Sequence, residues 1–216
     1  MQFPSVIEIS RSALQNNITF LRSFLESGVR LSSVVKANAY GHGIEQFVSI
    51  AAECGVDHFS VFSVDEAYRV YKVLNDKVDI MVMGWIHPKD MEWAVKHGIE
   101  FYVFELGTLM GALKAAKKLE KEALIHLEIE TGMNRTGLTN AELRQAVKII
   151  KENNKLLHVR GLCTHYAGAE SVSNYVRVQN QYKNFNRTYK WLARRGIVPD
   201  LLHTACSAAA IVYPKT

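Results

Sequence analysis

Cysteine is scarce in this chain, with three in 216 residues, at Cys54, Cys163 and Cys206. They lie far apart, with no CxxC pair and no regular spacing, which excludes a zinc framework and a disulfide scaffold. Reduced thiols in a cytoplasmic protein fit that usage, and a cytoplasmic location is the expectation. No apolar run approaches membrane-spanning length, so no membrane partner is expected. The first ten residues carry Glu8 and no basic-then-apolar succession, so they do not read as a signal peptide. No GxGxxG follows the first candidate strand, so the dinucleotide-binding fold lacks its fingerprint. No linker or low-complexity stretch divides the chain, and residues 1–216 read as one domain. Basic residues outnumber acidic ones, 26 to 21, giving a net charge of +5. They are scattered, and the densest group, Lys114, Lys117, Lys118 and Lys121, is interleaved with Glu120 and Glu122. That is a solvated helix face rather than a nucleic-acid surface.

What is present is alternation. Short β-rich runs at Leu31–Ala37, His58–Val64, Asp79–Trp85, Glu100–Glu105, Ala123–Glu130, His158–Ala167 and Leu201–Ser207 read as strands. Helical patterns at Ser12–Ser27, Ile44–Cys54, Asp65–Leu74, Pro88–His97, Leu106–Leu119, Asn140–Asn153 and Tyr175–Arg195 surround them. This is the βαβ rhythm of a parallel sheet with helices outside it. Seven strands fit an open doubly wound sheet, and they also fit a (β/α)8 TIM barrel that stops before its eighth βα unit. The barrel is the preferred α/β fold.

Four segments concentrate the chemistry. The run Val34-Val35-Lys36-Ala37-Asn38-Ala39-Tyr40-Gly41-His42-Gly43 ends an apolar strand on a lysine and continues into a glycine-punctuated turn. A partly desolvated lysine at a strand lip can form a Schiff base, whereas an ordinary lysine there only ends a buried run. In the fifth strand Ile125, Leu127 and Ile129 form one face, expected under helices, and His126, Glu128 and Glu130 the other, expected inside the barrel. Those three polar groups read as a buried ion-pair network, as part of an active site, or as both. Thr131–Gly137 follows, with Arg135 suited to a carboxylate or phenolate, or to a salt bridge with Glu128 or Glu130. His165 ends the sixth strand, as an active-site group or a hydrogen-bonded structural histidine. Ser207 ends the seventh and is expected to cap a short Ala-rich turn, whose N–H groups suit an anion.

Together these strings resemble the alanine racemases, fold-type III pyridoxal-phosphate enzymes. The match runs from an opening strand at Ile7-Glu8-Ile9 to Ser207, with the four motifs in the family's order. The resemblance implies pyridoxal 5'-phosphate as cofactor, held covalently by Lys36. It implies Tyr40 and Ser207 at the phosphate, His165 beside the ring, and Arg135 at the phenolic oxygen and the substrate carboxylate. No metal is implied. The implied reaction is isomerase chemistry, the interconversion of L- and D-alanine, with Lys36 as the base on one face of the α-carbon. The product would serve D-alanine biosynthesis and peptidoglycan precursors, and the full-length enzyme would be a homodimer.

Three departures qualify the match. Cys206 stands where the family usually has asparagine. Glu128 stands where many members carry a carbamylated lysine, so it is expected to support Arg135 with a permanent carboxylate. The chain also stops before the family's eighth barrel unit and C-terminal β domain, which carry a further cofactor-facing arginine and the tyrosine that acts as second base. A fragment of this kind is expected to be weakly active or inactive alone. Racemases of serine, lysine or arginine, and a single-domain non-catalytic pyridoxal-phosphate-binding protein, remain the alternatives.

Overall fold

Runs of Val, Ile and Phe fit a pleated surface buried on both sides, and amphipathic segments between them cover it. In this computed structural model residues 5–213 are described. They divide into two compact units, one running to Gly84 and the other starting at Trp85.

In the first unit Ser10 caps α1 (Arg11–Arg22), its side chain accepting from the Ala13 N–H at 3.3 Å. Then follow β1 (Ser33–Val34), a short turn labelled α2 (Lys36–Tyr40), α3 (Ile44–Glu53), β2 (His58–Val61), α4 (Val64–Leu74) and β3 (Asp79–Val82). The strands run parallel in sequence order, with Ser33 opposite Phe59 and Phe59 opposite Ile80. Every residue of β2 is buried, as expected of a strand with neighbours on both edges. Ser63 and Glu66 form a capping box at the start of α4, each satisfying a backbone N–H of the other's segment. The apolar core gathers Val35, Ile44, Val48, Phe59, Val61 and Val70.

The second unit continues with α5 (Pro88–Lys96), β4 (Glu100–Val103), α6 (Leu106–Leu119), β5 (Ala123–Glu128), α7 (Asn140–Glu152), β6 (Leu157–Cys163), α8 (Tyr175–Ala193), β7 (Leu201–His203) and α9 (Ser207–Val212). Its strands are again parallel and in sequence order. The β5–β6 register slips between Ile125 and His126, so that His126 faces Gly161 and Arg160 is the extra residue of a bulge. Gly161 is required there, because a Cβ at that position would sit 2.0 Å from His126 Nδ1. No helix among the described residues is long and apolar enough to cross a membrane.

Every strand and helix read from periodicity is found. The opening strand at Ile7–Ile9 that the resemblance implies is not: among the described residues it pairs with no neighbour, and Ile7 is exposed. Alternating isoleucines signal side-chain faces, whereas a strand needs a hydrogen-bonding partner. The observed strands also stop short of the expected C-terminal ends. β1 ends at Val34 rather than Ala37, β6 at Cys163 rather than Ala167, and β7 at His203 rather than Ser207. In each case the chain leaves the ladder to build a loop carrying one of the polar motifs.

Candidate active site

In the first unit, Lys36 opens a turn of unusual hand. Ala37, Asn38, Ala39 and Tyr40 all have φ between 52° and 55°, in the left-handed region. For L-residues this region costs roughly 1–2 kcal/mol each, with asparagine the most tolerant. The turn is held from several sides. The Ala39 N–H donates to the Val35 carbonyl at 2.9 Å, and the Gly43 N–H to the Asn38 carbonyl at 3.0 Å. Asn38 Oδ1 accepts from the Ile44 N–H at 3.2 Å and from an Arg69 guanidinium N–H at 2.7 Å. Arg69 in turn grips both oxygens of Glu45, at 2.6 and 2.7 Å. Its hydrogen bonds hold the Glu45 carboxyl down at about 2. Lys36 is half-buried, and among the described residues no side-chain hydrogen bond or ion pair engages its Nζ. Tyr40 is exposed.

In the second unit, the C-terminal end of β5 leads into the Thr131–Gly137 loop. Glu130 braces this loop from within, its carboxylate accepting from the Gly132 N–H and from the Asn134 N–H at 2.8 Å. Arg135 is exposed at the loop's tip and, among the described residues, makes no ion pair with Glu128 or Glu130. Glu130 is occupied by backbone N–H groups instead, and Glu128 accepts from the Thr136 hydroxyl at 3.0 Å. Burial pushes the Glu128 carboxyl up, against the opposing pull of the Thr136 hydrogen bond and the nearby Arg135 cation. Beside it, Tyr102 shares a hydrogen bond with the Cys163 thiol, and burial raises both groups well above their ordinary values.

The side chain of His165 is exposed, and its backbone carbonyl is held at 2.8 Å by Gln181 Nε2. Ser207 is exposed and is the first residue of α9, not its cap. The cap position belongs to Cys206, which makes no side-chain capping bond. A capping residue has extended backbone, and here that conformation falls one residue earlier than the Ser-Ala-Ala pattern suggests. Ser207 therefore keeps its hydroxyl at the start of the helix, next to the first N–H groups, which have no intrahelical acceptor.

Of the three polar groups of β5, His126 lies in a buried network that reaches beyond Glu128 and Glu130 to other strands. His126 Nε2 donates to Glu100 at 2.9 Å, and its Nδ1 lies 2.8 Å from His203 Nε2. Glu100 also accepts from Arg160 Nε at 2.9 Å, and Arg160 reaches Asp200 at 3.0 Å. Asp200 lies 2.8 Å from His158 Nε2. Glu100 and His126 are almost fully buried. This chain of charges across β4, β5, β6 and the start of β7 was absent from the sequence reading. Gly161 was its one local sign, since a glycine inside a strand marks a bulge or a close approach.

The site residues are thus distributed between the two units. Lys36 and Tyr40 stand on the left-handed turn of the first, and Glu128, Arg135, His165 and Ser207 at the strand ends of the second. Among the described residues, no ion pair engages Lys36 Nζ or the Arg135 guanidinium, and no side-chain hydrogen bond engages the Ser207 hydroxyl. The first unit thus offers an amine, and the second a cation and a hydroxyl beside free helix N–H groups.

Comparison with known proteins gives the same direction. The family model for the alanine racemase N-terminal domain matches residues 9–216. The alanine racemase of Geobacillus kaustophilus is 35% identical over 209 residues, covering 96% of this chain and 52% of that protein. Alanine racemase 2 of Oceanobacillus iheyensis is 32% identical, with 96% and 52% covered. Among solved structures, alanine racemase from Streptomyces coelicolor matches with a TM-score of 0.88 at 28% identity, over 94% of this chain and 54% of that one. Alanine racemase from Clostridium difficile in complex with cycloserine matches at 0.85 and 28% identity, over 94% and 56%. The chain spans about half the length of the curated relatives it matches. The α/β fold is that of the TIM-barrel portion of these enzymes. With the family model covering nearly all of its length, the chain belongs to the alanine racemase family and carries that family's N-terminal domain.

Proposed function

We propose that this chain binds pyridoxal 5'-phosphate through Lys36 and supplies one of the two bases of an amino-acid racemase acting on L- and D-alanine. The observation that carries the reading is the state of Lys36. The residue is half-buried and its amine is unengaged among the described residues, on a turn whose left-handed backbone is clamped by Asn38, Arg69 and Glu45. A group meant to exchange protons needs a fixed position and no competing partner. When bound, the cofactor would supply an electron sink for a carbanion at the substrate α-carbon.

The chain's own residues have separate tasks. Lys36 holds the cofactor and moves the proton on one face of the α-carbon. Ser207 and Tyr40 hold the phosphate. Arg135 meets the phenolic oxygen and the substrate carboxylate, its planar fork suiting either. His165 orients the ring. Glu128 supports Arg135 at short range without a direct ion pair. Racemisation needs a base on each face, and the opposite one is assigned to a tyrosine of a partner subunit in a homodimer. The enzyme is placed in the cytoplasm, feeding D-alanine to cell-wall precursors.

Loading the chain with pyridoxal 5'-phosphate, reducing with borohydride and mapping the peptides tests this reading. The label is expected on Lys36 and is expected to vanish in Lys36→Ala. A label spread over surface lysines would overturn it.

A further inference from the structure

The apolar stripe of α8 contains an anomaly. Val178, Phe185 and Leu192 recur at core positions, and between them sits Gln181, which is 0% exposed. A leucine is what periodicity asks for there. A buried primary amide persists only when its donors and acceptor are met.

All of them are met, by two different loops. Gln181 Oε1 accepts from the Ala167 N–H at 2.9 Å. Gln181 Nε2 donates to the His165 carbonyl at 2.8 Å and to Thr131 Oγ1 at 3.2 Å. The amide cannot be turned over, because the Ala167 N–H needs an acceptor and the His165 carbonyl needs a donor. The proton order downstream is fixed as well. Thr164 donates its hydroxyl proton to the Ile129 carbonyl at 2.9 Å, so Thr131 is the donor in the 2.7 Å contact between the two hydroxyls. One helical turn on either side, Arg177 donates twice to the Gly132 carbonyl, at 3.1 and 2.7 Å, and Asn184 once to the Thr131 carbonyl at 3.4 Å.

We infer that Gln181 is a positioning residue that fixes the loop leading to Arg135 and the strand end bearing His165 in one arrangement. This rests on the proposed roles of Arg135 and His165. This one amide ties both segments to α8. Removing it leaves a buried N–H and a half-buried carbonyl to seek new partners, and the two segments then stay joined to each other through Thr131 and Thr164 but lose this tie to α8.

The test is hydrogen exchange on the purified chain without cofactor, comparing parent with Gln181→Met and Gln181→Glu. The methionine variant keeps the length of the side chain and loses every polar contact. Exchange is expected to rise about tenfold at Ala167 and across residues 131–137, while β5 and α7 keep parental protection. The glutamate variant, protonated in this buried position, keeps the acceptor and one donor, so intermediate exchange is expected. If the methionine variant shows no cooperative unfolding, the glutamate variant carries the comparison. Parental exchange at Ala167 in the variant that folds overturns the inference. The same proteins are then titrated with pyridoxal 5'-phosphate and followed by visible circular dichroism. About tenfold weaker uptake and a reduced dichroic band are expected in Gln181→Met, with partial recovery in Gln181→Glu. Loosened segments with a parental band would refute the positioning role. A parent chain that takes up no cofactor would overturn the proposed function and the cofactor-positioning role together, whereas the exchange data would still decide whether Gln181 couples the two loops.

Discussion

Replacing Glu100 tests the buried charge chain most directly. The carboxylate is almost fully buried and accepts from two donors, His126 Nε2 at 2.9 Å and Arg160 Nε at 2.9 Å. Glu100→Leu removes both acceptors. Arg160 retains Asp200 at 3.0 Å in a half-exposed setting, so its loss is small. His126 keeps its contact with His203 through Nδ1, but its ring is about as buried as Glu100 and Gly161 packs against it, so the Nε2 proton loses the carboxylate with little access to solvent. Leaving a buried hydrogen-bonding group unmet costs roughly 1–3 kcal/mol, and the burial of the His126 ring places this case at the upper end, about 3 kcal/mol. Glu100→Gln should behave differently. Its carbonyl can accept from Arg160 while its NH2 group donates to His126 Nε2, provided the histidine moves its proton to Nδ1 and donates to His203 instead. That exchange keeps the hydrogen-bond count and loses only the charge assistance, about 1 kcal/mol. Equilibrium urea unfolding with unchanged slopes measures both values. Two results would refute the reasoning: a leucine variant costing less than about 1 kcal/mol, or a glutamine variant as costly as leucine.

Two further predictions use pH. Glu45 has its carboxyl held down at about 2 by Arg69, against an ordinary value of 4.5. A depressed carboxyl contributes stability above its unfolded value and loses it as pH falls towards the folded one. In Arg69→Met the NMR titration of Glu45 is therefore expected to move up towards 4.5, and the fall in stability below that pH to become shallower; an unmoved titration would contradict the pairing. Glu128 has the opposite sign, because burial raises its carboxyl. Its folded form favours the proton, so it lowers stability as pH rises past 4.5. Glu128→Gln is expected to flatten that decline while still accepting from Thr136, and to weaken pyridoxal-phosphate uptake if Glu128 supports Arg135. A variant with parental pH dependence and parental uptake would dispose of both claims.

The sequence made the fold readable because each helix and strand carried its own period. Leu106–Leu119 was delimited at both ends, and Asn140 follows a threonine with Glu142 in place to complete a capping box. The site was readable only as residue types at strand ends. Lys36, Arg135, His165 and Ser207 stand near those ends, but their partners are set by register and backbone hand. The Arg160 bulge brings together Glu100, His126 and Asp200, which lie up to 100 positions apart in the chain. Nothing in the Ala-Asn-Ala-Tyr string announces positive φ at four successive residues, since alanine disfavours it. Gln181 was hidden for the same reason: a polar residue in an apolar stripe looks like a flaw until the loops that need its amide are in place.

The turn after Lys36 has one more consequence. From Ala37 to Tyr40 the backbone follows the torsions preferred by a chain of opposite chirality. A D-alanine placed at Ala37 or Ala39 by chemical ligation would rest in its own favoured well, where the natural L-residue does not. A β-branched L-residue at either position would meet the full steric penalty, which fits the alanines found there and the glycine that closes the turn at Gly41. This stretch is locally a mirror-image peptide, kept in that hand by the contacts around Asn38.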